Sequence, residues 1–307
     1  MVIFMELEML SEHVGFLTTR VKVGVLTDQD RCILVDSGLD SSTAKKILSL
    51  LGREGLSVVG VINTHSHADH YGGSSYIKSK TGAKIYASAL EAAIIENPSL
   101  EPIYFAGGAH PPRELMNKFM MGEACKVDQI VQEGKLEAYP LEVDIISLPG
   151  HSPQQIGVLA ENTFFCADSI FPYEVLEKHR IIFLHNVHDA IESLKRLPTI
   201  NCDYFLPSHG ELLKRDELKK LVSLNLESIE IVEKTILENL TSPLELCEIV
   251  ARVLNHHKMS IQSYSDYHLF SSTIKAYLTY LQERSLIEFG VKNNHPLAFK
   301  KASPPKQ

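Results

Sequence analysis

The chain has 307 residues, a hydrophobic content of 44%, a charged content of 22% and a formal net charge of −8. This length can bury one large core and a smaller one, so two domains are expected. The acidic balance argues against a broad electrostatic footprint for nucleic acid, and no apolar run of about eighteen residues is present to span a bilayer. Five scattered cysteines, Cys32, Cys125, Cys166, Cys202 and Cys247, point to reduced thiols in a cytoplasmic setting.

Met1–Met5 is apolar but short, and reads as an edge strand rather than a secretory signal. Val21–Leu26 and Arg31–Val35 read as strands. Ser41 or Ser42 is expected to cap a helix whose Ile47, Leu48, Leu50 and Leu51 form an apolar face, ending near Gly52. Residues 57–64 (Ser-Val-Val-Gly-Val-Ile-Asn-Thr) are apolar on both parities, as in a strand buried on both faces.

That strand leads into Thr64-His-Ser-His-Ala-Asp-His-Tyr-Gly-Gly73, which packs His65, His67, Asp69 and His70 into six positions. No folding requirement calls for such density. Each of these side chains is a ligand type for a borderline divalent ion such as zinc. His65 and His67, two apart in extended chain, point to one side. Asp69 and His70 are adjacent, so a turn into a helix is needed to swing them towards a second position, with Gly72-Gly73 allowing close packing. The spacing suits two neighbouring metals better than one.

Ala83–Ala87 is a further short strand. Residues 89–135 read as irregular, broken by Ala-Gly-Gly-Ala-His-Pro-Pro-Arg at 106–113. Glu114–Met121 is expected to form a short helix exposing Met116, Phe119, Met120 and Met121. It is either a surface helix packed on its own domain or a lid over a metal site. As a lid it would bring Arg113 and Lys118 to an anionic substrate, while His110 reads as a loop residue. His151 follows the strand around Ile145-Ile146, and Asp168 follows a hairpin of Ile156–Leu159 with Phe164–Ala167. Lys178, His179 and Arg180 form a cationic cluster suited to carboxylate or phosphate. Residues 187–197 make an amphipathic helix stopped by Pro198, and His209 follows Tyr204–Pro207. Each single histidine or aspartate is weak evidence alone; a set of them, all following strands, is not.

The order His-x-His-x-Asp-His, His, Asp, His, with Thr-His-Ser-His-Ala-Asp-His, Gly-His-Ser, Ala-Asp-Ser and Ser-His-Gly, strongly resembles the metallo-β-lactamase-fold hydrolases over roughly residues 10–212. The resemblance implies an α/β (α+β) class and a four-layer αβ/βα sandwich. It implies that His65, His67 and His151 hold one metal, Asp69, His70 and His209 the other, with Asp168 bridging. Asp36, in Leu-Val-Asp-Ser-Gly, matches the family's early aspartate and would support the metal loop instead of binding metal. The cofactor implied is two divalent ions per chain, zinc first, with iron or manganese as alternatives. Such a pair lowers the pKa of a shared water towards 7 and supplies a hydroxide nucleophile. Asp69 would then serve both as ligand and as the catalytic acceptor that orients that hydroxide.

Within the superfamily, His67 stands where flavodiiron proteins carry glutamate. Phe171 stands three residues after Asp168, where acyl-homoserine lactonases carry tyrosine. The leading expectation is hydrolysis of a thioester or small ester, as in the glyoxalase II type. RNA phosphodiester cleavage and single-iron persulfide dioxygenation are the alternatives, and a regulatory protein with a vestigial metal site is a reading from another class.

Asp216–Leu240 reads as one long helix. Ser242 as N-cap, Pro243 at the first helical position and Glu245 closing a capping box start another. Phe270, Ile274, Tyr277, Leu278 and Leu281 mark a third, and Ile287–Val291, Asn293-Asn294 and Leu297–Phe299 a terminal hairpin. The expected division is 1–214, a metal hydrolase domain with its insertion at 89–135, and 215–307, a winged-helix-like domain. The latter resembles the accessory domain of the lactamase-B-like group, which includes an animal mitochondrial endoribonuclease. Few basic residues lie on 266–285, which favours packing or dimerisation over DNA reading. The expected partner is an anionic small molecule, with RNA and a second copy of the chain as alternatives and no membrane.

Overall fold

The computed structural model describes residues 5–138 and 141–301. The apolar segment at the start of the chain, and Tyr139 and Pro140, are therefore wholly or largely outside the described residues. Leu7–Met9 (β1), Val14–Thr18 (β2), Lys22–Asp28 (β3) and Arg31–Val35 (β4) form an antiparallel meander. Helix Ser41–Arg53 (α1) crosses to Ser57–Ile62 (β5). Two short helices, Ala68–Tyr71 (α2) and Ser74–Thr81 (α3), then lead to Lys84–Ala87 (β6), both strands joining in parallel. Ala89–Glu96 (α4), Leu100–Phe105 (α5) and a 3-10 turn at Arg113–Leu115 precede Gln129–Ile130 (β7), which completes a seven-stranded sheet in chain order.

The second sheet holds Gly134–Ala138 (β8), Leu141–Ser147 (β9), Ile156–Ala160 (β10) and Thr163–Ala167 (β11). After Tyr173–His179 (α6) and Val187–Arg196 (α7), Tyr204–Pro207 (β12) joins parallel to β11 and Leu213–Lys214 (β13) forms the edge. The chain continues through Arg215–Asn239 (α8), Leu244–Glu245 (β14), Leu246–His256 (α9), Tyr264–Glu283 (α10), Ile287–Lys292 (β15) and His295–Lys300 (β16). The last three strands pair in the order β14-β16-β15.

Alternation along the strands builds the layers. Ile33 and Val35 of β4 face inwards with Phe165 of β11 and Val143 of β9, filling the space between the sheets. Cys32 and Leu34 face outwards against Ile47 and Leu51 of α1. Phe164 and Cys166 of β11 face the opposite way, against Leu194 of α7 and Leu218 of α8. The result is the expected helix–sheet–sheet–helix sandwich. Full burial of a side chain such as Phe164 stabilises it by about 2–3 kcal/mol. One apolar cluster runs from Leu148 and Phe164 through Ile229 on α8 to Tyr277 on α10 and Ala298 on β16. Among the described residues no helix is long and apolar enough to cross a membrane.

Several local expectations are corrected. Asp40, not Ser41 or Ser42, caps α1; its carboxylate accepts from the Thr43 amide at 2.9 Å. The segment 89–135 contains α4, α5 and β7 and is more regular than its composition suggested. Glu114–Met121 forms only one 3-10 turn, and Met120 is buried. There Asn117 accepts from the Phe119 amide and donates to the Glu114 carbonyl, local bonds that compete with a continuous helix. The capping box at Ser242 and Glu245 does not form: Leu244 pairs with Ala298 and is buried, and α9 starts only after Glu245. The terminal hairpin turns on Asn293 and Asn294, both at positive φ (51° and 67°), as a two-residue primed turn requires.

Candidate metal centre

The centre is built where strands of both sheets end. The chain leaves β5 through Asn63 and Thr64, and α2 begins at Ala68 and carries Asp69 and His70, whose ring stays 4.0 Å from that of His65, centroid to centroid. Two glycines let this loop sit against the end of β4. A Cβ on Gly72 would lie 2.0 Å from the Leu39 carbonyl oxygen, and one on Gly73 2.3 Å from that of Ser37. Asp36, held at φ 67°, is the clamp. Its Oδ1 accepts from the Thr64 amide at 2.8 Å, and its Oδ2 accepts from the Thr64 hydroxyl at 2.9 Å and from His70 Nδ1 at 2.7 Å.

All seven candidate ligands from the sequence converge. His65, His67 and His151 form one group, Asp69, His70 and His209 another, and Asp168 joins His65 and His70 in a third. Within each group the potential ligand atoms lie within 4.8 Å of one another. His67 Nδ1 is 3.1 Å from His65 Nε2 and 2.9 Å from His151 Nε2. Asp168 reaches both sides: Oδ1 is 3.5 Å from His70 Nε2, and Oδ2 is 3.5 Å from His151 Nε2 and 3.3 Å from His209 Nε2. Ala167, at φ 51°, makes the sharp turn that presents it. His151 is fixed from behind, its Nδ1 lying 3.0 Å from the Phe183 carbonyl.

The electrostatics suit a cation. Burial pushes His65 well below the usual imidazole range, His67 down to about 4 and His151 down to about 3. With these rings held low, the converging nitrogens cannot all find a donor among themselves. Burial would also lower His70, but Asp168 and Asp36 outweigh it and hold the ring well above its ordinary value. Burial would raise Asp168, yet His209 and His70 hold it well below the carboxylate range. His70 Nε2 and Asp168 Oδ1 are buried without a hydrogen-bond partner. Orphaned, opposed donor atoms of nitrogen and oxygen type fit a borderline divalent ion.

A cavity of about 610 Å³ opens beside the cluster. Lys178 and His179 of α6 line it, whereas Arg113 and Lys118 do not. Arg113 opens the exposed 3-10 turn; Lys118 Nζ lies 3.6 Å from Asp40 and over the Phe119 ring. Arg180, the third member of its cluster, donates to the His257 carbonyl on the C-terminal side.

Sequence reasoning missed four contributors. Arg20 lines the cavity, its Nε 3.9 Å from Asp69 Oδ2. Glu91 of α4 is fully buried and ties the two histidine loops together. It accepts from the Ser66 amide and hydroxyl, the Ser152 hydroxyl and the Gln154 amide. Glu101 of α5 is buried with Oε1 3.9 Å from His67 Nε2; burial first, then Glu91 and Asp69, push its carboxyl well above the usual range. Asn225 of α8 exchanges hydrogen bonds with the Phe171 backbone just after Asp168. The only signal in the sequence was an acid inside the otherwise apolar run Ala89-Leu-Glu-Ala-Ala-Ile-Ile95.

Residues 19–209 match the family model described as the metallo-beta-lactamase superfamily. A probable metallo-hydrolase of Methanocaldococcus jannaschii is 30% identical over 188 residues, covering 59% of this chain and 83% of that one. A hydroxyacylglutathione hydrolase of Nitrosomonas europaea is 24% identical over 178 residues, covering 57% of this chain and 53% of that one. The match thus spans about half the length of that relative. Among solved structures, a metallo-beta-lactamase family protein from Thermus thermophilus superposes with a TM-score of 0.72 at 17% identity, covering 97% of this chain and 98% of that one. A beta-lactamase domain protein from Burkholderia ambifaria gives 0.74 at 15% identity, covering 96% and 94%. These two likenesses concern the fold.

Proposed function

The chain belongs to the metallo-β-lactamase superfamily and is a metal-dependent hydrolase, and on that premise we propose that it cleaves a thioester or small ester at a two-metal centre. His65, His67 and His151 would hold one ion, Asp69, His70 and His209 the other, and Asp168 would bridge. Zinc is the first choice, with iron or manganese as alternatives. The observation that carries the reading is that His67 Nδ1 lies within 3.1 Å of both His65 Nε2 and His151 Nε2, beside an Asp168 carboxylate within 3.5 Å of His151 on one side and of His70 and His209 on the other. When bound, a pair of such ions supplies an activated water and polarises the scissile carbonyl.

The chain's own residues do the rest. Asp36 and Glu91 hold the two histidine loops, so the ligand geometry is fixed before substrate arrives. Asp69, partly exposed towards the cavity, would accept a hydrogen bond from the attacking water and orient it. Phe171 and Phe183 flank the histidines and keep bulk water from that side. Lys178 and His179 would meet an anionic part of the substrate. The matches to hydroxyacylglutathione hydrolases support the thioester assignment.

RNA phosphodiester cleavage is the second reading, favoured by Phe183 and Phe270 in the cavity, rings of the kind on which bases can stack, beside Lys178. The net charge of −8 ranks it second. The reading of 215–307 as a winged-helix-like accessory unit belongs to the same proposal, supported by its helix–strand–helix–helix–strand–strand order. The test is one panel: S-lactoylglutathione, longer acyl thioesters and single-stranded RNA assayed side by side. Thioester turnover lost in His67→Ala is expected. RNA cleavage abolished by His67→Ala, with no thioester turnover, would reverse the ranking.

A further inference from the structure

Two stretches far apart in sequence, α6 with the turn after it and α10, meet over the cavity. Helix α6 brings Val175, Lys178 and His179, the following turn brings Ile181–Phe183, and α10 brings Leu269 and Phe270. Phe183 links the metal cluster to the rest. Its ring centroid is 5.6 Å from that of His67, 5.8 Å from that of His151 and 5.7 Å from that of Phe105. Phe183 and Leu269 both pack on a small apolar cluster of Phe105, Leu115 and Met120.

Two polar contacts fasten that cluster to α10. His268 Nδ1 lies 2.9 Å from the Phe105 carbonyl, and the Ser265 hydroxyl donates to the Glu114 carbonyl at 2.6 Å. Helix α10 therefore lines the cavity itself and also anchors the neighbouring wall. The lining is two-sided. Leu269, Phe270, Phe183 and Ile182 are half-buried and apolar, whereas Arg20 and Lys178 are exposed cations, His179 is an exposed imidazole that burial and Lys178 hold below its ordinary pKa, and Asp69 is the one carboxylate among the described lining residues. Such a surface suits a ligand with an apolar chain at one end and a negative charge at the other.

We propose that α10 forms the acyl wall of the substrate site: the apolar acyl chain of an anionic thioester lies against Leu269, Phe270 and Phe183, and its anionic thiol portion lies towards Lys178 and His179. This rests on the thioester reading above and narrows it to acyl chains longer than lactoyl. The reaction balances with water alone. The water oxygen forms the new C–O bond as the C–S bond breaks, and the departing thiolate takes up a proton released by the water.

The test uses the full-length, zinc-loaded protein and S-acylglutathiones with acetyl, butyryl, octanoyl and dodecanoyl chains, followed by thiol release. Wild-type kcat/KM is expected to rise by up to about fourfold per methylene until the wall is filled. Phe270→Trp should lower the octanoyl-to-acetyl ratio tenfold or more, mainly through KM, and weaken binding of the non-hydrolysable S-octylglutathione to a similar extent in calorimetry. Leu269→Ala should move the preference the other way, towards dodecanoyl, by threefold or more. Both side chains are half-buried, so neither variant depends on the deep core. Thioester turnover with chain-length ratios unchanged in both variants would overturn the wall and leave the hydrolase reading standing. A wild-type protein that cleaves no thioester of any length would instead overturn the substrate class, and the wall with it.

Discussion

The inner metal cluster and the outer walls of the cavity are built on opposite plans. Inside, three of the five histidines are held by a second contact: His65 Nδ1 lies 3.0 Å from the Thr64 hydroxyl, His70 Nδ1 2.7 Å from Asp36 and His151 Nδ1 3.0 Å from a carbonyl. Outside, Lys178 and His179 are exposed, and Leu269 and Phe270 are half-buried on a helix 91 residues further on. Ligand geometry tolerates little error, so it is over-determined by buried carboxylates. Substrate contacts need only shape and charge, so they can come from any segment that the fold brings near.

Four substitutions sharpen or break this contrast. Asp168→Ala has the largest expected effect, because one carboxylate serves both ligand groups. Turnover should fall by about a thousandfold or more, and metal content should fall with it in elemental analysis. Retained turnover would remove the bridging assignment. Asp36→Ala comes next, since it strands the Thr64 amide and His70 Nδ1 in a buried site. A loss of about 3 kcal/mol in urea unfolding is expected, with zinc affinity weakened tenfold or more in a chelator competition.

Glu91→Gln keeps the shape but not the acceptor capacity for its four donors, and should cost about 2 kcal/mol by the same measurement. A neutral result would mean that the two histidine loops are held independently. The smallest effect belongs to the periphery. Burial would raise Asp128, but Lys78 and the Ile85 amide outweigh it and lower its carboxyl. A lowered carboxylate contributes stability above its unfolded pKa and loses it as pH falls through the folded value. Asp128→Asn should therefore cost under about 1 kcal/mol at neutral pH, discounted for partial exposure, and nothing once the carboxyl is protonated. A penalty that persists in acid would mean that the contact acts through packing.

The same contrast explains what could be read from the chain. His65, His67, Asp69 and His70 lie within six positions, and strand patterning predicted where His151, Asp168 and His209 would emerge. Asp36 was legible only through its match to the early aspartate of the resembled family. Glu91, Glu101 and Asn225 were not, because a single acid or amide on a helix looks the same whether it faces solvent or a buried loop. Arg113 and Lys118 illustrate the converse error: proximity of a cationic segment to an expected lid did not bring it to the cavity, and Lys118 turned to Asp40. At Ser242, a good local start signal lost to strand pairing of Leu244 with Ala298, because tertiary burial outweighs a cap worth about 1 kcal/mol.

The most direct measurement of the central claim is the metal content of purified protein, read together with octanoyl-thioester turnover as zinc is restored after chelation. Close to two ions per chain are expected, with turnover returning as both groups fill and failing to return in Asp168→Ala. A single iron per chain, with sulfur-dependent oxygen uptake and no thioester cleavage, would contradict it.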